Sequence, residues 1–183
     1  MVEEFFGAVG RSVLSASARC GRFSLLALDA FGQLVKQRPS LRHTLQQMAH
    51  LGVNSLPIVM LTMLFTGMVM TVQTASEFIK YGAQSSVGGV IAIAMGRELS
   101  PVLTGVVVAG RVGAAITAEI GSMKVTEQID ALRVMATNPV AYLVVPRLLA
   151  MVVMLPMLVV FADLIGTIGG YLVATFYAGI GSQ

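Results

Sequence analysis

LGVNSLPIVMLTMLFTGMVMTVQTAS, residues 51–76, runs for 26 positions without a charged side chain. A hydrocarbon layer about 30 Å thick is crossed by about 20 mostly apolar helical residues, so this stretch is long enough to span with some tilt. The composition agrees: 56% of the chain is apolar, 11% is charged and mean hydropathy is +0.82, against roughly one-quarter charged residues in a soluble domain. With 19 Gly, 12 Met and no Trp, close helix contacts are favoured over a barrel with aromatic girdles. The predicted fold class is all-α: a polytopic helical membrane protein.

Upstream, residues 1–50 contain six of the twelve basic side chains (Arg11, Arg19, Arg22, Lys36, Arg38, Arg42) and no long uncharged run. Glu3 and Glu4 stand where a secretory signal would be basic, so the start reads as mature sequence. Over 19–37, Phe23, Ala27, Ala30, Phe31 and Leu34 share one helical face and Arg22, Asp29, Gln33 and Lys36 the opposite one. That pattern predicts a helix lying in the membrane interface, or else one packed on a soluble core. Arg-Pro-Ser at 38–40 breaks it, with Ser40 as N-cap of a second short amphipathic piece through Met48. Residues 1–50 thus form an interfacial region and 51–183 a transmembrane domain.

Downstream, a polar link at 77–84 leads to a second span over 86–110. This choice leaves Arg111 at the far interface and puts Arg97 and Glu98 near mid-span, where ionisable groups cost a few kcal/mol each and are usually paired or face a cavity; the alternative is that the two cap a helix starting at Leu99. Gly110, Gly113, Ala114 and Gly121 recur at spacings that let helices approach closely. A third span falls within 148–172, where about thirteen large apolar residues at roughly 0.3–0.6 kcal/mol each outweigh the roughly 3 kcal/mol cost of Asp163. Pro156 is a candidate kink, Gly166 with Gly170 a tight contact surface, and Asp163 either a structural hydrogen-bonding group or part of a conducting path. Basic residues concentrate in cytoplasmic segments; with 1–50 inside, three spans place 111–139 inside as well.

That loop holds AEIGSMKVTEQIDAL, 118–132, in which Val125, Ile129 and Leu132 form one apolar stripe. A rod of about 22 Å is too short and too polar to cross, and suits a groove on a cytosolic partner. Three acids against one lysine make anionic headgroups a poor alternative surface.

Some chemistry lacks its residues. There is no G-x-x-x-x-G-K-[ST] phosphate loop, no G-x-S-x-G and no H-E-x-x-H; His43 and His50 are seven apart without a third ligand; Cys20 is the single cysteine. Basic residues are dispersed without interleaved aromatics, which argues against nucleic acid. An intramembrane enzyme using Glu98 or Asp163 as acid or base would need a second catalytic group at matching depth, and none stands out.

RELSPVLTGVVVAGRVGAAITAEIGSMKVTEQIDALRVMATNPVAYLVVPRLLA, residues 97–150, resembles the signature region of the MlaE family, permease subunits of ABC transporters that move lipids between membranes with MCE-domain proteins. The likeness extends to the amphipathic N-terminus and first span. Full family members have about five spans, so the resemblance implies about two more beyond residue 183. It implies a homodimeric permease for phospholipids or related lipids, itself not an enzyme and without a cofactor, with ATP and Mg on a separate cytosolic ATPase. It makes the 118–132 helix the coupling helix, with Glu119, Lys124, Glu127, Gln128 and Asp130 at the ATPase contact. It brings Arg97, Glu98 and Leu99 to the lipid cavity between two copies, to which Tyr81, Phe78 and Met70 are added as apolar or amphipathic groups near the outer end of the first span. The implied location is a bacterial inner membrane or, alternatively, a plastid inner envelope. The rival of another class is a scaffold subunit that anchors partners without transporting.

Overall fold

A proline has no backbone N–H, so it removes one donor from the helical ladder and crowds the carbonyl four residues back. Pro57, Pro101 and Pro146 all fall where an apolar run would otherwise continue as plain helix. The computed structural model describes residues 2–36, 41–83 and 86–176, and in it each of these prolines comes two residues after an irregular helical turn. Wide π-turns occupy Met48–Gly52, Met95–Leu99 and Val140–Val144, and a tight 3₁₀ turn, Val53–Ser55, follows the first. The ladder adjusts its register at the missing donor and the helix carries on.

The regular helices are α1 (Val2–Lys36), α2 (Leu41–Gln47), α3 (Leu56–Lys80), α4 (Val87–Ala94), α5 (Ser100–Val125), α6 (Gln128–Val134) and α7 (Val145–Phe176). Among the described residues there is no strand. Joined through the irregular turns they make three rods, Leu41–Lys80, Val87–Val125 and Val140–Phe176, each long and apolar enough to cross a membrane. The all-α, three-span expectation therefore holds.

Glycine decides how the rods meet. Gly67 lies against the backbone of Gly166, Gly169 against Leu64, Gly170 against Thr71 and Gly52 against Met154, so α3 and α7 run side by side in the same direction at backbone contact distance. Gly166 and Gly170 form the tight surface their spacing suggested. The second rod runs the other way: Ile91 meets Gly170, Met95 meets Gly166 and Gly96 faces Asp163. Val59, Met63, Met95, Val108, Leu158 and Ala162 are buried between the three. Outward-facing Leu61, Phe65, Val102, Val106, Val152 and Leu164 stay exposed, as expected where the surroundings are lipid or further helices.

Several boundaries differ from those expected. α1 begins at Val2 rather than at residue 19; its Phe23 and Phe31 are exposed, while Ala30 is buried and the helix touches the Val140–Val144 turn and α7. The break at 38–40 and the Ser40 cap lie outside the described residues. The short amphipathic piece is continuous with the first span, because the π- and 3₁₀ turns keep the path helical up to Pro57. Glu77 and Lys80 close the last turn of α3 as an ion pair at 2.8 Å instead of opening a link. The helix does not stop with the second span at Gly110: no proline follows Pro101 before 125, the glycines of that stretch keep a right-handed backbone, and the rod runs on to Val125. Pro156 interrupts nothing, since α7 is helical throughout.

Candidate functional site

Depth along the rods is set by their cross-links. Arg111 Nη1 donates to Ser55 Oγ at 2.7 Å, and Ser55 Oγ donates to the Leu51 carbonyl at 2.6 Å. This fixes a level on the side of the bundle from which α2 and α7 start and toward which α5 runs. Arg111 comes 24 helical steps after Val87, about 36 Å of helix, close to the roughly 30 Å of a hydrocarbon layer. The remaining 14 residues to Val125 carry α5 about 21 Å past that level.

The 118–132 stretch is not one helix. α5 stops at Val125, Glu127 adopts a left-handed backbone (φ 56°), and α6 starts at Gln128. Glu127 serves both helices: its N–H donates to the Lys124 carbonyl at 3.3 Å, and its own carbonyl accepts from the Asp130 and Ala131 N–H groups at 3.1 and 2.9 Å. The break turns Val125 out to solvent, 85% exposed, away from the half-buried Ile129 and Leu132, so the continuous apolar stripe is corrected to a helix–turn–helix corner. No glycine or proline marks the spot, which is why periodicity ran through it.

Across the corner, Lys124 Nζ and Arg133 Nη1 each donate to Asp130, at 2.9 Å to Oδ2 and 2.9 Å to Oδ1. The Lys124 ammonium, by its hydrogen bond and charge, and then Arg133, hold the Asp130 carboxyl below the usual carboxylate range. The sign follows: a depressed folded-state value gives stabilisation that is complete above the ordinary carboxylate value and lost as pH falls through the lowered one. Carbon-13 titration of Asp130 should therefore give a midpoint below that of a model peptide, and Lys124→Met should raise it more than Arg133→Met. The effect on stability is small because all three groups are solvated. Glu127 and Gln128 are exposed beside this clamp.

Glu119 behaves differently from the other four coupling candidates. Its Oε1 lies 2.7 Å from Nη2 of Arg147, near the start of α7; Arg147 is 5% exposed and Glu119 40%. Nε and Nη1 of Arg147 are buried and meet no acceptor among the described residues. Unfilled buried donors cost about 1–3 kcal/mol each. Arg147 and Arg133 were given no role from sequence, although both lie within the 97–150 signature.

Of the six cavity candidates, Arg97 and Glu98 sit on the Met95–Leu99 π-turn, about 15 Å from Val87 and about 21 Å from Arg111 by helical rise, hence near mid-depth. Both are exposed on the outer face of the rod, and among the described residues neither makes an ion pair or hydrogen bond. Leu99 and Phe78 instead pack against the chain's own core. Met70 lines a shallow hollow on α3 with Phe65, Thr66 and Val69, and Tyr81 is 82% exposed. No contact in this single chain joins all six. Asp163, at the same depth, is held internally: Ser100 Oγ donates to its Oδ1 at 3.1 Å, which matches the structural alternative.

The four small residues Gly110, Gly113, Ala114 and Gly121 do not bring helices together in this chain. They are exposed, and a Cβ built on any of the three glycines meets nothing within 4 Å. Packing is done instead by the glycines of α3 and α7. His43 stacks on Tyr142 with ring centroids 5.2 Å apart. Asn138 Oδ1 caps the next helical segment by accepting from Val140 N–H at 2.9 Å, and Pro139 fills the first helical position, where a missing donor costs nothing.

Residues 44–183 match the family model described as Permease MlaE. The chain is 40% identical over 176 residues to a probable ABC transporter permease protein of Rickettsia felis, covering 96% of this chain and 68% of the relative. It is 38% identical over 185 residues to the intermembrane phospholipid transport system permease protein MlaE of Haemophilus influenzae, covering all of this chain and 70% of the relative. It is 43% identical over 148 residues to the chloroplastic protein TRIGALACTOSYLDIACYLGLYCEROL 1 of Arabidopsis thaliana, covering 81% of this chain and 42% of that one. The chain thus spans about two thirds of the two bacterial relatives' lengths. The family match and these identities, on a three-rod membrane bundle bearing a polar corner, mean that the chain belongs to the MlaE permease family.

Proposed function

We propose that the chain is the membrane-spanning permease subunit of an ATP-driven transporter of phospholipid or related lipid, with ATP and Mg²⁺ bound on a separate cytosolic ATPase. The observation that carries this reading is the unpaired Arg97–Glu98 couple at mid-depth on an outward face. Each such group costs a few kcal/mol against bare hydrocarbon. A second copy facing this surface would enclose the couple in a cavity, where polar headgroups or water could satisfy them while neighbouring aliphatic groups hold acyl chains. The 118–132 corner, held about 21 Å beyond the Arg111 level, is placed to meet the ATPase, with Lys124, Glu127, Gln128 and Asp130 outermost. An MCE-domain protein would receive or deliver the lipid on the opposite side. The setting is a bacterial inner membrane or, on the chloroplastic relative, a plastid envelope. Residues 1–50 would rest in the interface.

A purely anchoring subunit would have no use for unpaired mid-depth charges. Two substitutions separate the readings. Glu127→Lys with Asp130→Lys should abolish co-purification with the ATPase while membrane insertion is retained; unchanged co-purification would remove the docking role. Glu98→Leu should leave the complex assembled and cut lipid transfer between vesicles by tenfold or more. Normal transfer by that variant would remove Glu98 from the lipid cavity.

A further inference from the structure

The Arg147–Glu119 pair joins the part of α5 beyond the Arg111 level to the start of α7, outside the core that the two helices share. Glu119 sits six residues before the end of α5 and Arg147 is the third residue of α7. Between them lie the corner, α6 and the Asn138 cap, none of which contributes a buried core residue before Leu143. We infer that Arg147 and Glu119 form a strut that passes displacement of the corner from α5 directly into α7, making Arg147 a positioning residue for energy coupling. This rests on the permease reading above.

Three observations support it. First, Arg147 is 5% exposed while its partner is 40% exposed, so the cation is anchored in the bundle and the carboxylate reaches in from the moving side. Second, α7 is locked to α3 through Gly67, Gly166 and Gly169 at backbone contact, so a push on the start of α7 moves both helices together. Third, an ion pair is a weak choice for stability alone, since apolar residues of similar volume usually do as well. Two of the guanidinium's nitrogens also meet no acceptor among the described residues.

The test uses the complete complex in vesicles, reading lipid moved per ATP hydrolysed. The double variant Arg147→Met/Glu119→Leu removes the strut without leaving a buried charge. We expect it to assemble, with transport per ATP lowered at least tenfold; an unchanged ratio would overturn the strut. A second measurement needs no variant at these positions and no lipid. With Cys20 replaced by serine, spin labels at Ser122 and Leu148 should keep one separation in nucleotide-free and ATP-trapped complexes. A separation that differs between the two states beyond the spread of the label overturns the strut even if the double variant fails to assemble. Absence of lipid movement by the wild-type complex, with the label separation constant, would remove the lipid-transport reading and leave the strut standing.

Discussion

Gly67→Ala pushes α3 off α7 and lowers the stability of the bundle by about 3 kcal/mol, the upper end of the usual overpacking penalty. A methyl group at Gly67 would overlap the carbonyl of Gly166. That obstacle is backbone, so no side chain can rotate away and the two helices must separate along their shared length. Valine at the same position should prevent recovery of a folded bundle. Gly88→Ala is the control: nothing lies within 4 Å of its added Cβ, and helix propensity favours alanine by up to about 1 kcal/mol. Denaturation of the purified protein in detergent, followed by circular dichroism, measures the difference. Equal stability of Gly67→Ala and Gly88→Ala would mean that α3 and α7 do not meet along this seam.

Glu119→Ala destabilises by about 3–5 kcal/mol, the cost of leaving a buried charge without its partner. Arg147→Met costs far less, although it cuts the same ion pair. The asymmetry follows from burial: Arg147 is 5% exposed and cannot be rehydrated where it sits, whereas Glu119 is 40% exposed and water replaces the lost guanidinium. The same unfolding assay resolves the two. If they proved equally destabilising, the environment of Arg147 would be wetter than its burial implies.

The membrane-spanning character and the positions of all three rods were legible from hydropathy, because uncharged length is a local property of sequence. The place of Arg97 and Glu98 within the second rod, ten and eleven residues after its start at Val87, was legible too, by counting. Beyond the Gly166–Gly170 surface, sequence left open which residues meet between rods. Gly110 and Gly67 look alike as small residues, yet only Gly67 faces another helix. Glu119 shares the acidic character of Glu127 and Asp130, yet its carboxylate turns back to Arg147, 28 positions away in the chain. The corner at Glu127 escaped for another reason: a left-handed cap is normally signalled by glycine, and here a glutamate adopts it.

A π-turn accommodates one residue more than the α-turn it replaces, and each rod contains one: Met48–Gly52, Met95–Leu99 and Val140–Val144. Successive helical residues are spaced about 100° around the axis, so deleting one position from a regular stretch would swivel everything before it by that angle, whereas deleting one from a π-turn would restore an α-turn and leave the flanking faces aimed as before. In the second rod a residue lost between Ile91 and Met95 would rotate Val87 and Ile91 out of the core while α5 stays in place, and one lost from Met95–Leu99 would not. The bundle should therefore tolerate the loss of a single residue at its three wide turns far more readily than within the regular helices between them, because there chain length sets the aim of each helix face.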